Sequence, residues 1–167
     1  EHLSETAPSD ELPSFMRPDT TIIGPGEEIL LPEQSEKVTG EAELGLVIGR
    51  EAKDVSEEEA PSVVAGLTTV LDMTAEDILR KNPRYLTRAK SFDTFFSFGP
   101  QLVTLDEVGE IENLTVATVS NGEVRWTMNI TAGQPTHPIA LFGNEQVLNR
   151  IRQSWPEPMK FRLDLRP

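Results

Sequence analysis

Hydrophobic residues along this chain gather in short runs, and two of these runs predict buried strands. Residues 43–49 form a nearly continuous apolar run, and residues 70–73 form a shorter run of the same type. A run that is apolar at successive positions, rather than at alternate ones, is typical of a strand buried on both faces. Residues 28–31 predict a third, short strand.

A β-hairpin is the clearest local signal. Residues 115–120 and 123–126 are both prone to form strands, and Asn121-Gly122 lies between them. Asn-Gly favours a two-residue hairpin turn because both of its positions adopt positive φ angles.

Two capping-box patterns predict short helices between the strands. Ser56 and Glu59 have the spacing of such a box and precede apolar residues at helical spacing, although Pro61 confines this helix to its start. Residues 74–77 repeat the pattern before a second apolar stretch. Strands outnumber helices in this interpretation, so we predict a β-rich α+β fold.

Composition narrows the class of protein. The 167 residues include 28 acidic and 15 basic side chains, which give a formal net charge of −13. Nucleic-acid binders and anionic-membrane binders need a basic face, so the charge argues against both classes. The absence of cysteine excludes disulfides, thiolate metal sites and cysteine nucleophiles. No apolar run approaches the roughly 20 residues of a membrane-spanning helix, and we expect a globular protein of the cytoplasm.

A pair of glutamates marks the first candidate site. Glu41 and Glu43 are two residues apart at the mouth of a predicted strand, so their carboxylates share one face. Two carboxylates this close repel each other, and a site that keeps both ionised usually supplies a cation. Oxygen ligands favour Mg²⁺, Mn²⁺ or Ca²⁺, and Asp72 offers a third carboxylate. The alternative is a solvated pair of acids on an exposed strand edge.

His2 and Glu5 form the second candidate pair. If the segment is helical, their i, i+3 spacing places both on one face, where the carboxylate can orient the imidazole as a general base. The alternative is a frayed terminal histidine. Lys90, taken alone, indicates no function. Four phenylalanines close to it are predicted to fill a core or an interface: Phe92, Phe95, Phe96 and Phe98.

Taken in order, these pieces form a series of motifs that resembles one family. The motifs are His2-x-x-Glu5, Phe15-Met16-Arg17-Pro18, Gly24-Pro25-Gly26, Glu41-x-Glu43-Leu44-Gly45, Leu71-Asp72-Met73-Thr74, Ala89-Lys90-Ser91-Phe92-Asp93, Gly99-Pro100 and Asn121-Gly122-Glu123. Their order and spacing, over roughly residues 1–126, resemble the catalytic domain of the fumarylacetoacetate hydrolase family. The resemblance implies a fold of mixed, rolled β-sheets with short helices.

The resemblance also implies a role for each candidate residue. Glu41, Glu43 and Asp72 stand at the positions that ligate a divalent metal, usually Mg²⁺, with Mn²⁺ and Ca²⁺ as alternatives. His2 and Glu5 stand at the dyad that activates water. Lys90 stands beside the metal, as a catalytic and substrate-binding residue. Two further substrate-binding positions carry Arg17, where the family often has lysine, and Gln134, where it commonly has threonine.

The same resemblance predicts how the chain is organised. We expect one catalytic domain over residues 1–167, with an N-terminal lid and access segment (1–40), a metal-binding core (41–126) and a divergent C-terminal part (127–167). The family places a longer stretch after the hairpin, so we expect a break or missing segment near 127–129, and further residues before Glu1. Family members act as cytoplasmic or mitochondrial homodimers on small oxo acids.

Three functions follow from this interpretation. The first is a metal-dependent hydrolase that cleaves a C–C bond in an acylpyruvate or related diketo acid. The second is a tautomerase or decarboxylase of a small oxo acid such as oxaloacetate, in the same site. The third is a catalytically silent dimeric scaffold, which is favoured by Gln134, by the shortened C-terminal part and by Glu76, since many family members have arginine where Glu76 stands.

Overall fold

Seven strands and a few short helices make up the described part of this computed structural model, which covers residues 14–129 and 139–142. The strands are β1 (Ile22–Ile23), β2 (Val38–Ile48), β3 (Val64–Ala75), β4 (Phe96–Phe98), β5 (Thr115–Ser120), β6 (Glu123–Asn129) and β7 (Ile139–Phe142). The α-helices are α1 (Glu76–Lys81), α2 (Leu86–Lys90) and α3 (Leu105–Val108). Four 3₁₀ turns complete the set: Asp19–Thr21, Ala60–Val63, Pro83–Tyr85 and Ile111–Asn113. None of the helices in these ranges is long and apolar enough to cross a membrane.

Five of the strands form one sheet in the order β1-β4-β3-β2-β7. The outer pairs β1–β4 and β2–β7 are parallel. At the centre, the backbone N–H of Glu76, just after β3, donates to the carbonyl of Lys37, just before β2, at 2.8 Å. The end of β3 therefore meets the start of β2, so these two strands run in opposite directions. This mixed sheet confirms the predicted β-rich α+β fold.

Both apolar runs of the sequence lie in the two central strands. Positions 42–45 of β2 are all buried, including Glu43, as expected for a strand covered on both faces. Strand β3 extends beyond the predicted run 70–73 at both ends, from Val64 to Ala75, and it includes two threonines directly before the run.

The predicted hairpin is present as β5 and β6. Asn121 and Gly122 have φ angles of 54° and 78°, the pair of positive values that the two-residue turn requires. Strand β6 continues through residues 127–129, which pair with residues 115–117 of β5. These three residues, where we expected a break or missing segment, are thus part of a strand.

Three local predictions are wrong. Residues 28–31 form no strand; Leu30 and Leu31 are exposed, and the N–H of Leu30 donates to the Thr94 hydroxyl. Ser56 and Glu59 do exchange their capping hydrogen bonds, but only a 3₁₀ turn follows, and the chain enters β3 at Val64. In a helix capped at Ser56, Pro61 would stand in the second turn, where it lacks the N–H that the helix needs, and the β-branched valines after it favour a strand.

The third wrong prediction concerns the start of α1. The helix is present, but its N-cap is Ala75, without a side-chain cap. Thr74 belongs instead to β3, so it does not stand at the N-cap of the helix. A capping box does occur at α3, between Thr104 and Glu107, where no helix was predicted.

The described residues divide into two compact units, one of residues 14–41 with 72–97, the other of residues 42–71 with 98–129 and 139–142. The first unit has a core of buried residues from β3, α1, α2 and the approach to β4: Ala75, Ile78, Leu79, Ala89 and Phe95. Phe92 packs on that core and meets the edge of Phe95, with ring centroids 5.3 Å apart. The core of the second unit comprises Ala42, Leu44, Leu67, Val103, Val108, Leu114 and Val116.

Candidate metal centre

Strands β2 and β3 bring the three predicted carboxylates together. Glu41 and Glu43 alternate along β2 and share a face, as the period of a strand requires. Asp72 lies on the neighbouring strand β3. One carboxylate oxygen from each of the three residues lies within 4.8 Å of the other two. The alternative of an ordinary exposed strand edge does not describe this cluster, because two of its three members are buried.

Burial gives the cluster an open side and a closed side. Asp72 and Glu43 are 1% and 6% exposed, whereas the Glu41 side chain is 48% exposed. Buried carboxylates are costly unless cations balance them. The donors are all hard oxygens, so the cluster fits Mg²⁺, Mn²⁺ or Ca²⁺ rather than a softer metal.

Lys90 reaches this cluster from the end of α2. Its ammonium donates to Asp72 Oδ2 at 2.8 Å and to Glu41 Oε2 at 3.0 Å. The residue is 4% exposed and the ammonium lies 5.3 Å from the centre of the Phe15 ring. Short α2 is held by Ala89, which is fully buried in the core of the first unit. Lys90, which the resemblance places beside the metal, is therefore a direct partner of two candidate ligands.

Arg17 contacts the same aspartate from the other side. Its guanidinium donates to Asp72 Oδ1 and to the backbone carbonyls of Met73, Lys90 and Phe95. Each oxygen of Asp72 is thereby bound by a different cation. The motif at 15–18 indicated a contact with substrate, but not this contact with Asp72, since the two residues are 55 positions apart.

Glu76 forms ion pairs with two basic side chains that are not part of the carboxylate cluster. It is 3% exposed, and its carboxylate meets Lys37 at 2.6 Å and Arg80 at 2.5 Å. The acid that stands where many family members have arginine is thus accommodated by two basic residues.

Thr74, between Asp72 and Glu76 on the buried face of β3, is 2% exposed, and its hydroxyl has no hydrogen-bond partner among the described residues.

Five of the eight predicted site residues come together: Glu41, Glu43, Asp72, Lys90 and Arg17. The other three, His2, Glu5 and Gln134, lie outside the described residues. No local pattern of the sequence predicts that Arg17 and Lys90 lie next to Asp72.

Comparison with known proteins yields one consistent family. The family model described as the fumarylacetoacetate (FAA) hydrolase C-terminal domain matches residues 1–139. The mitochondrial oxaloacetate tautomerase FAHD2B of Homo sapiens is 40% identical over 116 residues, which cover 69% of this chain and 37% of that protein. The match thus spans little more than a third of the length of this relative.

Solved structures with the same fold include two enzymes. The 5-carboxymethyl-2-hydroxymuconate delta-isomerase of Mycobacterium smegmatis is 38% identical with a TM-score of 0.63, over 68% of this chain and 44% of that one. The maleylpyruvate hydrolase of Sphingobium sp. SYK-6, solved with manganese(II) ion and pyruvate, is 29% identical with a TM-score of 0.60, over 69% of this chain and 41% of that one.

Proposed function

This chain belongs to the fumarylacetoacetate hydrolase family, and from that membership we propose that it is a divalent-metal-dependent hydrolase of a C–C bond in an acylpyruvate or related diketo acid. The observation that carries the proposal is the carboxylate cluster of Glu41, Glu43 and Asp72, with the Lys90 ammonium beside it. The matched relatives include a tautomerase, an isomerase and a hydrolase, so enzymatic activity is their common element.

Mg²⁺ is the cofactor we propose, with Mn²⁺ and Ca²⁺ as alternatives. The solved structure of the maleylpyruvate hydrolase with manganese(II) and pyruvate supports a divalent ion in this family. Once bound, such an ion acts as a Lewis acid toward the carbonyl of a 2-oxo acid.

Residues of the chain would activate the water, stabilise the enolate and contact the substrate. His2, oriented by Glu5, takes a proton from water, and the water oxygen attacks the carbonyl distal to the 2-oxo acid. The C–C bond breaks, and its electron pair passes to an enolate that is afterwards protonated. Lys90 places a positive charge where the enolate oxygen develops its negative charge. Arg17 and Gln134 are the further candidates for contact with the substrate.

A second candidate is an oxaloacetate-type tautomerase or decarboxylase in the same site. The name of the human relative, an oxaloacetate tautomerase, favours it. Both reactions stabilise an enolate, and they differ in whether water attacks a carbonyl. Water activation by His2 is therefore the step that separates the two functions.

The experiment is an assay of acylpyruvates and oxaloacetate, with Mg²⁺ and with a chelator. We expect acylpyruvate cleavage that the chelator abolishes, because Lewis-acid assistance is lost. Glu43→Gln removes a ligand charge at nearly constant shape and should lower both metal affinity and turnover. Glu51→Gln changes an exposed acid in the same way and serves as the matched control.

The outcomes separate the three functions. His2→Ala should abolish hydrolysis and leave metal binding intact. Tautomerisation without cleavage would favour the second candidate. If no substrate reacts, either with Mg²⁺ or with the chelator, the result would favour the silent dimeric scaffold.

Two properties of the protein remain proposals with this function. We propose a homodimer, on the basis of the family alone. We propose the cytoplasm as its compartment, with mitochondria as the alternative suggested by the name of the human relative.

A further inference from the structure

The Arg17 side chain is enclosed by protein on nearly all sides. Its side chain is 10% exposed. The guanidinium carbon lies 5.1 Å from the centre of the Phe96 ring and 5.5 Å from that of the Phe15 ring. Both distances are within the range of cation–π attraction. A planar cation flanked in this way presents its edges, rather than its faces, to polar partners.

Those edges meet acceptors from three separate segments. Nη2 donates to Asp72 Oδ1 and, at 3.2 Å, to the carbonyl of Met73. Nη1 donates to the carbonyl of Lys90 and, at 3.0 Å, to that of Phe95. One side chain therefore ties the end of β3, the end of α2 and the turn before β4 to the segment that carries Arg17.

Two of these attachments concern the site directly. With Oδ1 held by Arg17, Asp72 turns Oδ2 toward Lys90, at 2.8 Å. The bond to the Lys90 carbonyl fixes the backbone from which that ammonium extends. Both the ligand and the lysine thus take their orientation from the same guanidinium.

We propose that Arg17 is a positioning residue for the metal centre, and that it acts through Asp72 and Lys90 rather than by contact with the substrate. This inference rests on the proposed metal-dependent function. It replaces the substrate-binding role that the resemblance implies for position 17. The number of acceptors explains the choice of arginine: guanidinium offers donors on separate nitrogens in a fixed plane, whereas a lysine ammonium offers them from a single atom.

The test measures the affinity for Mn²⁺ by calorimetry in Arg17→Met and Arg17→Lys. Loss of a group that orients a metal ligand typically costs about 10–100-fold in affinity. Positioning predicts weaker binding in the order wild type, Arg17→Lys, Arg17→Met. A purely electrostatic role predicts the opposite for Arg17→Met, because removing a cation beside the carboxylates should tighten metal binding. Arg80→Lys, at an ion pair with Glu76, is the control and should bind Mn²⁺ like wild type.

Kinetics at saturating Mn²⁺ separate positioning from substrate contact. Positioning predicts a fall in kcat with little change in KM, whereas a substrate contact predicts a rise in KM. Wild-type or tighter Mn²⁺ affinity in a folded Arg17→Met protein overturns the inference. If Arg17→Met does not fold, Arg17→Lys decides, and wild-type affinity in that variant overturns it. Failure of the wild type to bind Mn²⁺ refutes the proposed function itself.

Discussion

At the scale of single residues, Lys90 affects two quantities that can be measured separately: the stability of the metal-free protein and its affinity for the metal. Its ammonium binds the same carboxylates, of Asp72 and Glu41, that are candidate metal ligands. It balances part of their charge in the metal-free protein, and it adds a repelling cation when a metal is to be bound.

Lys90→Met should therefore have opposite effects on stability and on metal affinity. Without metal, the free energy of unfolding should fall by about 3 kcal/mol, because the buried carboxylate of Asp72 loses one of its cations. Metal affinity should rise, since less positive charge opposes the incoming ion, while turnover should fall. Urea unfolding in chelator and calorimetric titration measure the first two quantities.

A matched control for this variant is Lys53→Met, at an exposed position of the loop before β3. It should change neither quantity. Weaker metal binding in Lys90→Met, in a protein that remains folded, would contradict the idea that the lysine balances the ligands in the metal-free state.

At the scale of elements, the start of α1 is attached to the segment before β2. Asp77, in the first turn of α1, accepts a hydrogen bond from the Ser35 hydroxyl at 2.5 Å and one from the Glu36 N–H at 3.3 Å. The Ser35 bond is the main cause that holds the pKa of Asp77 below its usual 3.8. Backbone N–H groups of Glu36, Asp77 and Ile78 lower this pKa further, and partial desolvation opposes them.

Ser35→Ala should raise the pKa of Asp77 toward 3.8, as followed by carboxyl-carbon NMR. Because the folded-state pKa is lowered, this contact contributes stability above the unfolded pKa and loses it as the pH falls through the folded value. The variant should therefore lose less stability than the wild type when the pH falls from above the unfolded-state pKa of Asp77 to below its folded-state pKa. Ser62→Ala, at a serine bound by Arg50, is the control, and an unchanged Asp77 pKa in Ser35→Ala would disprove the assignment.

Element types were easier to predict than element boundaries. The apolar runs and the Asn121-Gly122 turn identified four of the strands, β2, β3, β5 and β6, because their signals are local to the backbone. The capping pair Ser56–Glu59 formed its hydrogen bonds and still led into a strand. A cap satisfies the first turn only, and pairing within the sheet decides whether the chain continues as a helix.

At the scale of the whole molecule, the oligomeric state is the property to measure. The density of phenylalanine between 92 and 98 suggested an interface, but Phe95, Phe96 and Phe98 are buried within a single chain, at 0%, 5% and 6% exposure. Their burial requires no partner. The homodimer therefore rests on the family alone.

We expect a sedimentation mass of about twice the chain mass of 18.5 kDa, and it should stay at that value on dilution through the micromolar range. The physical reason is that obligate dimers of small catalytic domains bury apolar surface that a monomer would expose. A mass near that of the single chain at micromolar concentration would contradict the prediction.

The sequence by itself determined the fold class, the hairpin and the identity of the three carboxylates. These depend on periods of two residues along a strand, on the φ preference of Asn-Gly and on motif order, all of which are local or additive along the chain. Even the shared face of Glu41 and Glu43 follows from their spacing alone.

The resemblance placed Lys90 beside the metal, but only the tertiary structure decided which atoms of those carboxylates the surrounding cations bind. Arg17 reaches Asp72 across 55 positions of sequence, and Lys90 reaches Glu41 across 49. No periodicity spans such distances; the pairing of β2 with β3 and the docking of α2 set them. The packing of the sheet buries the Asp72 carboxylate, and Arg17 and Lys90 balance its charge, each at a different oxygen.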